Sequence, residues 1–271
     1  MTLAQIKELL KKHNAYPKKQ FGQNFLFDPN SVKKIIAAAG IEPGNIVVEV
    51  GPGVGNLTQE LAIPAKEVIA IENDRSMLAI LGDLFGGSPN VKIIDADILK
   101  FDEGRLPKNY KVVANLPFYL AAPAIRKFLE SANPPESLTL IIQKEVAQRI
   151  VASPPQMSLL AVSVQFYAHA KIVDYINKSS FWPAPRVDSA IIIITPQKNG
   201  QAKNFVDKFF TVARAGFSHP RKQLANNLAG GLGVDREAAE RLLAANNIDK
   251  TRRAETLDMQ EWVNLTRSYS S

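Results

Sequence analysis

The residues whose types and spacing could do chemistry sit at the ends of short apolar runs. Gly51, Gly53 and Gly55 follow the run 46–50, Glu72 follows 67–71, and Asp97 follows 91–94. Glycine lets a backbone approach a ligand closely, and a carboxylate at a strand end can accept both hydroxyls of a ribose. Asp97 can accept from the amino group of an adenine. A dinucleotide fingerprint would want glycines at 51, 53 and 56. Position 56 is Asn and the third glycine falls at 55, a spacing that suits a nucleoside without a pyrophosphate. Each acid alone reads equally as a solvent-facing loop residue. Three such features at three successive strand ends favour a nucleoside site.

A second group is Asn115-Leu116-Pro117-Phe118, at the end of a fourth run. The exocyclic amine of adenine is a poor nucleophile, because its lone pair is delocalised into the ring. Acceptors held against its two N–H bonds would aim that lone pair at an electrophilic methyl group. The Asn115 side-chain oxygen and the Leu116 carbonyl can be those acceptors, Pro117 stiffens the turn, and Phe118 offers a face for the base. No strong general base is needed, and near-attack positioning is the main device. The Phe181-Trp182-Pro183-Ala184-Pro185-Arg186-Val187-Asp188-Ser189 segment cannot be helical and is expected to hold its aromatics outward, with Phe181 on the opposite face of an extruded base. The bland alternatives are a proline turn with a core Phe, and a core aromatic pair. Lys18-Lys19-Gln20-Phe21-Gly22-Gln23-Asn24-Phe25-Leu26 mixes basic, amide and aromatic residues and suits a lid.

The elements that must position these groups alternate. Helices are expected at 29–39, opened by Asp28 and Pro29 and closed by Gly40, at 56–62, 75–85 and 121–131. Strands are expected at 46–50, 67–71, 91–94, 111–114 and 138–142, which predicts a doubly wound α/β sheet. A helix at 158–167 and strands at 171–176 and 190–195 complete this part. The polar breaker 196–201 is the expected boundary, with domains at 1–200 and 201–271, the second all-helical (204–215, 222–228, 236–244, 258–267).

The 271 residues carry a formal charge of +7 at pH 7. Residues 1–20 contribute +4 and 201–271 contribute +3, while the middle is neutral. Two basic flanks around a neutral core could grip a polyanion, or could simply keep the chain soluble. Lys18, Lys19, Arg221 and Lys222 are the candidate phosphate contacts. Cysteine is absent, which excludes disulfides and thiolate chemistry and fits a cytoplasmic location. His13, His169 and His219 show no metal-ligand spacing. No apolar run is long enough to span a membrane, and residues 1–10 do not resemble a signal peptide.

Taken in order, these motifs resemble the bacterial small-subunit (16S) rRNA adenine N6-dimethyltransferases, the kasugamycin-sensitivity family. The resemblance covers nearly the whole chain and rests on Phe21-Gly22-Gln23-Asn24-Phe25-Leu26, Glu49-Val50-Gly51-Pro52-Gly53-Val54-Gly55-Asn56-Leu57-Thr58, Ile71-Glu72-Asn73-Asp74, Asn115-Leu116-Pro117, Gln143-Lys144-Glu145-Val146-Ala147 and the 181–189 loop. It implies a Rossmann-like class I methyltransferase sheet with a small all-α C-terminal domain that helps bind RNA. It implies S-adenosylmethionine as cofactor, with S-adenosylhomocysteine as product, held by Gln23, Asn24, Leu26, Gly51, Gly53, Glu72, Asn73, Asp97, Ile98 and Asn115. The target base would be held by Asn115, Leu116, Pro117 and Phe118, with Phe181 opposite. The implied substrate is a pair of adjacent adenines near the 3′ end of small-subunit rRNA in the assembling 30S subunit, and the implied state is a monomer. The family usually has Tyr where this chain has Phe118, so a stacking face is kept and a hydroxyl lost. A sister enzyme acting on large-subunit rRNA and an assembly factor that only binds RNA are the rival readings.

Overall fold

The computed structural model describes residues 1–18, 22–197 and 200–269. Lys19, Gln20 and Phe21 of the expected lid, and Lys198 and Asn199 of the polar breaker, lie outside them. Among the described residues no helix is long and apolar enough to cross a membrane.

The chain forms two compact units, Met1–Ala147 with His169–Pro196, and Gln148–Ala168 with Gln197–Ser271. The first is built on a seven-stranded sheet. In chain order its strands are β2 (Ile46–Val50), β3 (Glu67–Glu72), β4 (Val91–Asp95), β5 (Tyr110–Asn115), β6 (Ser137–Gln143), β7 (Ala168–Ile176) and β9 (Ser189–Pro196). Across the sheet the order is β4-β3-β2-β5-β6-β9-β7. The pairs among β2 to β6 are parallel, and β9 runs antiparallel to β6. Val47, Val68, Val113, Ile141 and Ile191 share one apolar cluster, and the alternate residues Val48, Ile69, Val112, Leu140 and Ile192 are buried as well. Both faces are therefore covered, which is why these strands read as continuous apolar runs rather than alternating ones. Each such side chain removed from water contributes about 1.5–3 kcal/mol.

Helices α2 (Pro29–Ala39), α3 (Asn56–Leu61), α4 (Arg75–Phe85) and α5 (Phe118–Glu130) pack on this sheet. The Asp28 carboxylate accepts from the Ser31 N–H at the start of α2, and Gly40 closes it in the left-handed conformation. Helix α5 starts three residues before the expected position, directly after Pro117. Proline has no N–H to leave unpaired there, so the helix can begin at once. Ahead of the sheet, α1 (Leu3–Lys12) buries Ile6 and Leu10 against Phe25, Met77 and Ile80. A two-stranded ribbon joins β1 (Phe25–Leu26) to β8 (Phe181–Trp182), pairing Leu26 with Phe181.

The second unit holds α7 (Leu159–Tyr167), α8 (Lys203–Gly216), α9 (Leu224–Leu232), α10 (Arg236–Ala244) and α11 (Met259–Ser268). Helix α6 (Lys144–Ile150), which follows β6, begins in the first unit and ends in this one. The second unit's core stacks Phe166 on Phe209, with ring centroids 4.0 Å apart, and Phe217 on the fully buried Trp262. A single boundary near 200 would leave α7 with the sheet. The structure assigns it to the helical unit, because Ala161, Val162 and Phe166 are buried in the same cluster as Phe209 and Leu224.

Gly55, at the head of α3, has φ +80°, and a Cβ there would lie 2.6 Å from the Phe85 ring at the end of α4. Gly55→Ala combines a left-handed alanine with a ring clash. It is expected to lower stability by about 2–4 kcal/mol, read as a fall in the urea midpoint at constant slope.

Candidate active site

The carboxyl ends of β2, β3, β4 and β5 lie side by side, because the four strands pair in parallel register. Ligands of open α/β sheets bind at this edge. A cavity of about 320 Å³ opens there. The residues that the resemblance implies for cofactor and base line it. Gln23, Asn24 and Leu26 come from the segment around β1, and Gly51 and Gly53 from the turn after β2. Glu72 and Asn73 come from the end of β3, and Asp97 and Ile98 from the turn after β4. Asn115, Leu116, Pro117 and Phe118 run from β5 into α5, and Phe181 comes from β8.

Glu72 is 7% exposed and is fixed by main chain. Its Oε1 accepts from the Asn73 and Asp74 N–H groups, both at 2.9 Å, and its Oε2 accepts from the Gly53 N–H at 3.1 Å. Burial raises its pKa above the ordinary carboxylate value, against the opposing pull of the Asp74, Asn73 and Gly53 amides. The Asp97 Oδ1 accepts from the Leu99 N–H at 2.9 Å, which shapes the turn after β4. Asn115 donates its side-chain N–H to the Asn24 carbonyl at 3.0 Å, leaving Oδ1 to act as the acceptor. The Leu116 N–H donates to the Ile141 carbonyl at 3.1 Å, so the tetrapeptide is anchored to β6.

One placement differs from expectation. Phe181 is not held outward: it is 3% exposed, because the β1–β8 pairing folds its ring into the cluster of Leu26, Ile176 and Ile191. It reaches the cavity as part of its wall. Lys18, a candidate phosphate contact, is ion-paired within the chain. Its Nζ lies 2.9 Å from Asp74 Oδ1, while Gln23 donates to Asp74 Oδ2 at 3.0 Å. Burial works to raise the Asp74 pKa, but the bonds from Lys18, the Ser76 amide and Gln23 outweigh it and hold the group below its usual value. Arg221 and Lys222 are exposed in the turn before α9.

Sequence reasoning passed over Glu49 and Tyr119, which also line the cavity. Glu49 is an acid inside an otherwise apolar buried strand, and that contrast could have flagged it. It is 1% exposed and accepts from the Thr58 hydroxyl at 2.6 Å. Burial pushes its pKa up to about 8, the Thr58 bond opposing and the Glu72 charge adding to the rise.

This sheet, with its glycine turn and acids along one edge, has the Rossmann-like methyltransferase architecture. The family model for ribosomal RNA adenine dimethylase matches residues 14–265, and the chain belongs to that family. It is 43% identical over 272 residues to the Ribosomal RNA small subunit methyltransferase A of Dehalococcoides mccartyi (strain BAV1), covering 99% of this chain and 94% of that protein. The protein of the same name from Shouchella clausii is 41% identical over 277 residues, covering 98% of this chain and 94% of that one. Among solved structures, a dimethyladenosine transferase from Plasmodium falciparum aligns with a TM-score of 0.76 at 28% identity, covering 89% of this chain and 95% of that one. The 23S rRNA methyltransferase ErmE shares the fold, with a TM-score of 0.73 at 24% identity over 90% of this chain and 99% of that one.

Glu49 yields a test. Its folded carboxyl keeps its proton to about pH 8, against an ordinary value of 4.5 for a solvated glutamate. The stability it contributes is complete below the lower value and is lost as pH rises through the upper one. Glu49→Gln keeps a neutral side chain at every pH. Thermal melts from about pH 5 to about pH 8.5 should show a shallower decline for the variant than for the parent; parallel curves would show that Glu49 titrates as an ordinary carboxyl.

Proposed function

We propose that the chain transfers methyl groups from S-adenosylmethionine to the N6 amine of adenine in small-subunit rRNA, leaving N6-dimethyladenine and S-adenosylhomocysteine. The carrying observation is that Asn115-Leu116-Pro117-Phe118 and the main-chain-held Glu72 face one cavity. Family membership and the name borne by the bacterial relatives support the substrate. The reading takes two adjacent adenines near the 3′ end, in late subunit assembly, as the target.

The residues present suit the cofactor. Glu72 is a buried carboxylate whose lone pairs are only partly taken by three amides, which suits the two hydroxyls of a ribose. Gly51 and Gly53 have positive φ and bring bare backbone to the same cavity. Asp97 and Ile98 would receive the adenine end, and Gln23, Asn24, Leu26, Asn73 and Asn115 complete the set. When bound, the cofactor supplies an electrophilic sulfonium methyl group.

The chain's own residues supply orientation. Asn115 Oδ1 and the Leu116 carbonyl accept the two N–H bonds of the amine and turn its lone pair toward the cofactor. Phe118, partly exposed at the mouth, stacks on the base, and Phe181 forms the wall beyond it. The amine loses its proton to water or carbonyl oxygen after transfer, and the tetrapeptide does its work by positioning. The helical unit, with Arg221 and Lys222, is assigned to the RNA backbone.

Glu72→Ala is expected to weaken S-adenosylhomocysteine binding about ten- to a hundredfold, the loss typical of hydrogen bonds to a charged group. Calorimetry that shows unchanged affinity would remove Glu72 from the site. The function itself is tested by transfer of labelled methyl to under-methylated small subunits, with large subunits and naked RNA in parallel. N6-dimethyladenine at adjacent positions of the small subunit is expected. Label confined to large-subunit RNA would reassign the substrate, and RNA binding with no label at all would mark an assembly factor.

A further inference from the structure

The 181–189 loop that walls the cavity also leads away from it. Pro185 and Ser189 line the cavity, and Arg186, next to Pro185, is exposed. Asp188, next to Ser189, gathers two lysines. Its carbonyl accepts from the Lys144 N–H at 3.0 Å, and its Oδ1 accepts from the Lys178 N–H at 3.0 Å. The Lys144 ammonium in turn lies 5.3 Å from the centre of the Tyr175 ring, on β7. This strand is an edge of the sheet, beside β9, and successive side chains of a strand point to opposite faces. Asp174 pairs with Lys34 of α2 at 2.8 Å, so Lys171, Val173 and Tyr175 lie on the face turned away from α2. All three are exposed, Val173 and Tyr175 each at 47%. Lysine on an edge strand blocks pairing with another sheet. Exposed aromatic and apolar surface beside it works against that end and calls for another cause. Among the described residues Lys144, Lys171, Lys178 and Arg186 are in no ion pair. The acids that adjoin these four cations are Asp188, already bonded to an amide, and Glu145 in the first turn of α6.

We propose that the strip formed by Arg186, Lys178, Lys144 and Tyr175 is an rRNA-binding surface of the sheet unit, which holds the unpaired strand adjoining the target adenine. This rests on the substrate reading above. The cations take phosphates, and the Tyr175 ring takes the face of a base. Cationic and aromatic side chains together are what grip single-stranded RNA. The strip starts at the wall of the cavity that receives the extruded base, so the flanking nucleotides meet it first. Lys144 serves twice, because an ammonium near a ring steadies it and stays open to a phosphate.

The test uses the full chain, with methyl transfer to under-methylated small subunits and with binding to those subunits and to naked small-subunit rRNA over a range of salt. Tyr175→Ala should raise the KM for small subunits about tenfold and leave kcat within about twofold. Tyr175→Phe, which keeps the ring, should restore the parental KM. Lys144→Gln combined with Lys178→Gln should flatten the slope of log Kd against log salt by about 1.5, the share of two phosphate contacts. The Kd for S-adenosylhomocysteine should stay parental in all of them, since none of these side chains lines the cavity. Parental KM and salt slope in the variants of a chain that methylates small subunits would overturn the surface assignment alone. A defect confined to whole subunits, with naked rRNA bound at the parental slope, would place a ribosomal protein on this strip and overturn it too. A parent chain that binds neither subunits nor rRNA would overturn the substrate reading, and this proposal with it.

Discussion

The site depends on one carboxylate being held by main chain alone. Glu72 sits at the end of β3 and draws in amides from its own turn and from the glycine turn after β2. Every donor is main chain, so Glu72 is the single side chain that must be ordered to clamp two neighbouring strand ends. The Gly53 amide can reach it because that turn runs through positive φ at Gly51, Gly53 and Gly55. Around this clamp the other parts fall into place. Asp74, two residues on, caps α4 and gathers Lys18 and Gln23, which brings the segment before β1 to the cavity. Asn115 then bonds the Asn24 carbonyl from the other side.

Glu49 complicates the electrostatics usefully. It lies fully buried behind the same turn, and two full negative charges so close would be expensive in a desolvated strand end. Its raised pKa, up to about 8, keeps Glu49 protonated at neutral pH and removes its charge from beside Glu72. The Thr58 hydroxyl donates to the Glu49 carboxyl, and Glu72 faces the cavity.

Much of this was legible in the chain. Helix α2 was readable because Asp28, Pro29 and Gly40 punctuate it, and the strands were readable because a parallel sheet buried on both faces needs unbroken apolar runs. The cavity lining was readable because strand ends carry its chemistry. What escaped reading depends on partners distant in the chain. The ion pair of Lys18 needs Asp74, 56 residues away, and cannot be read locally. Phe181 looks like an outward aromatic until β1 pairs with it. Helix α7 looks like part of the sheet domain, and its burial in the cluster of Phe209 and Leu224 assigns it elsewhere. Helix α6 escaped because it follows the end of β6 with no turn to announce it.

The discontinuous make-up of the helical unit bears on how the chain is born. Helix α7 leaves the ribosome before β7, β9 and every other helix of its own core. Its apolar residues, Phe166 among them, are synthesised into a nascent chain whose matching surface does not yet exist. The sheet cannot finish until β9 and β7 arrive from beyond this insertion, so neither unit can complete its fold as a simple N-terminal fragment. Only when the last helices emerge is there a surface to cover the apolar residues of α7.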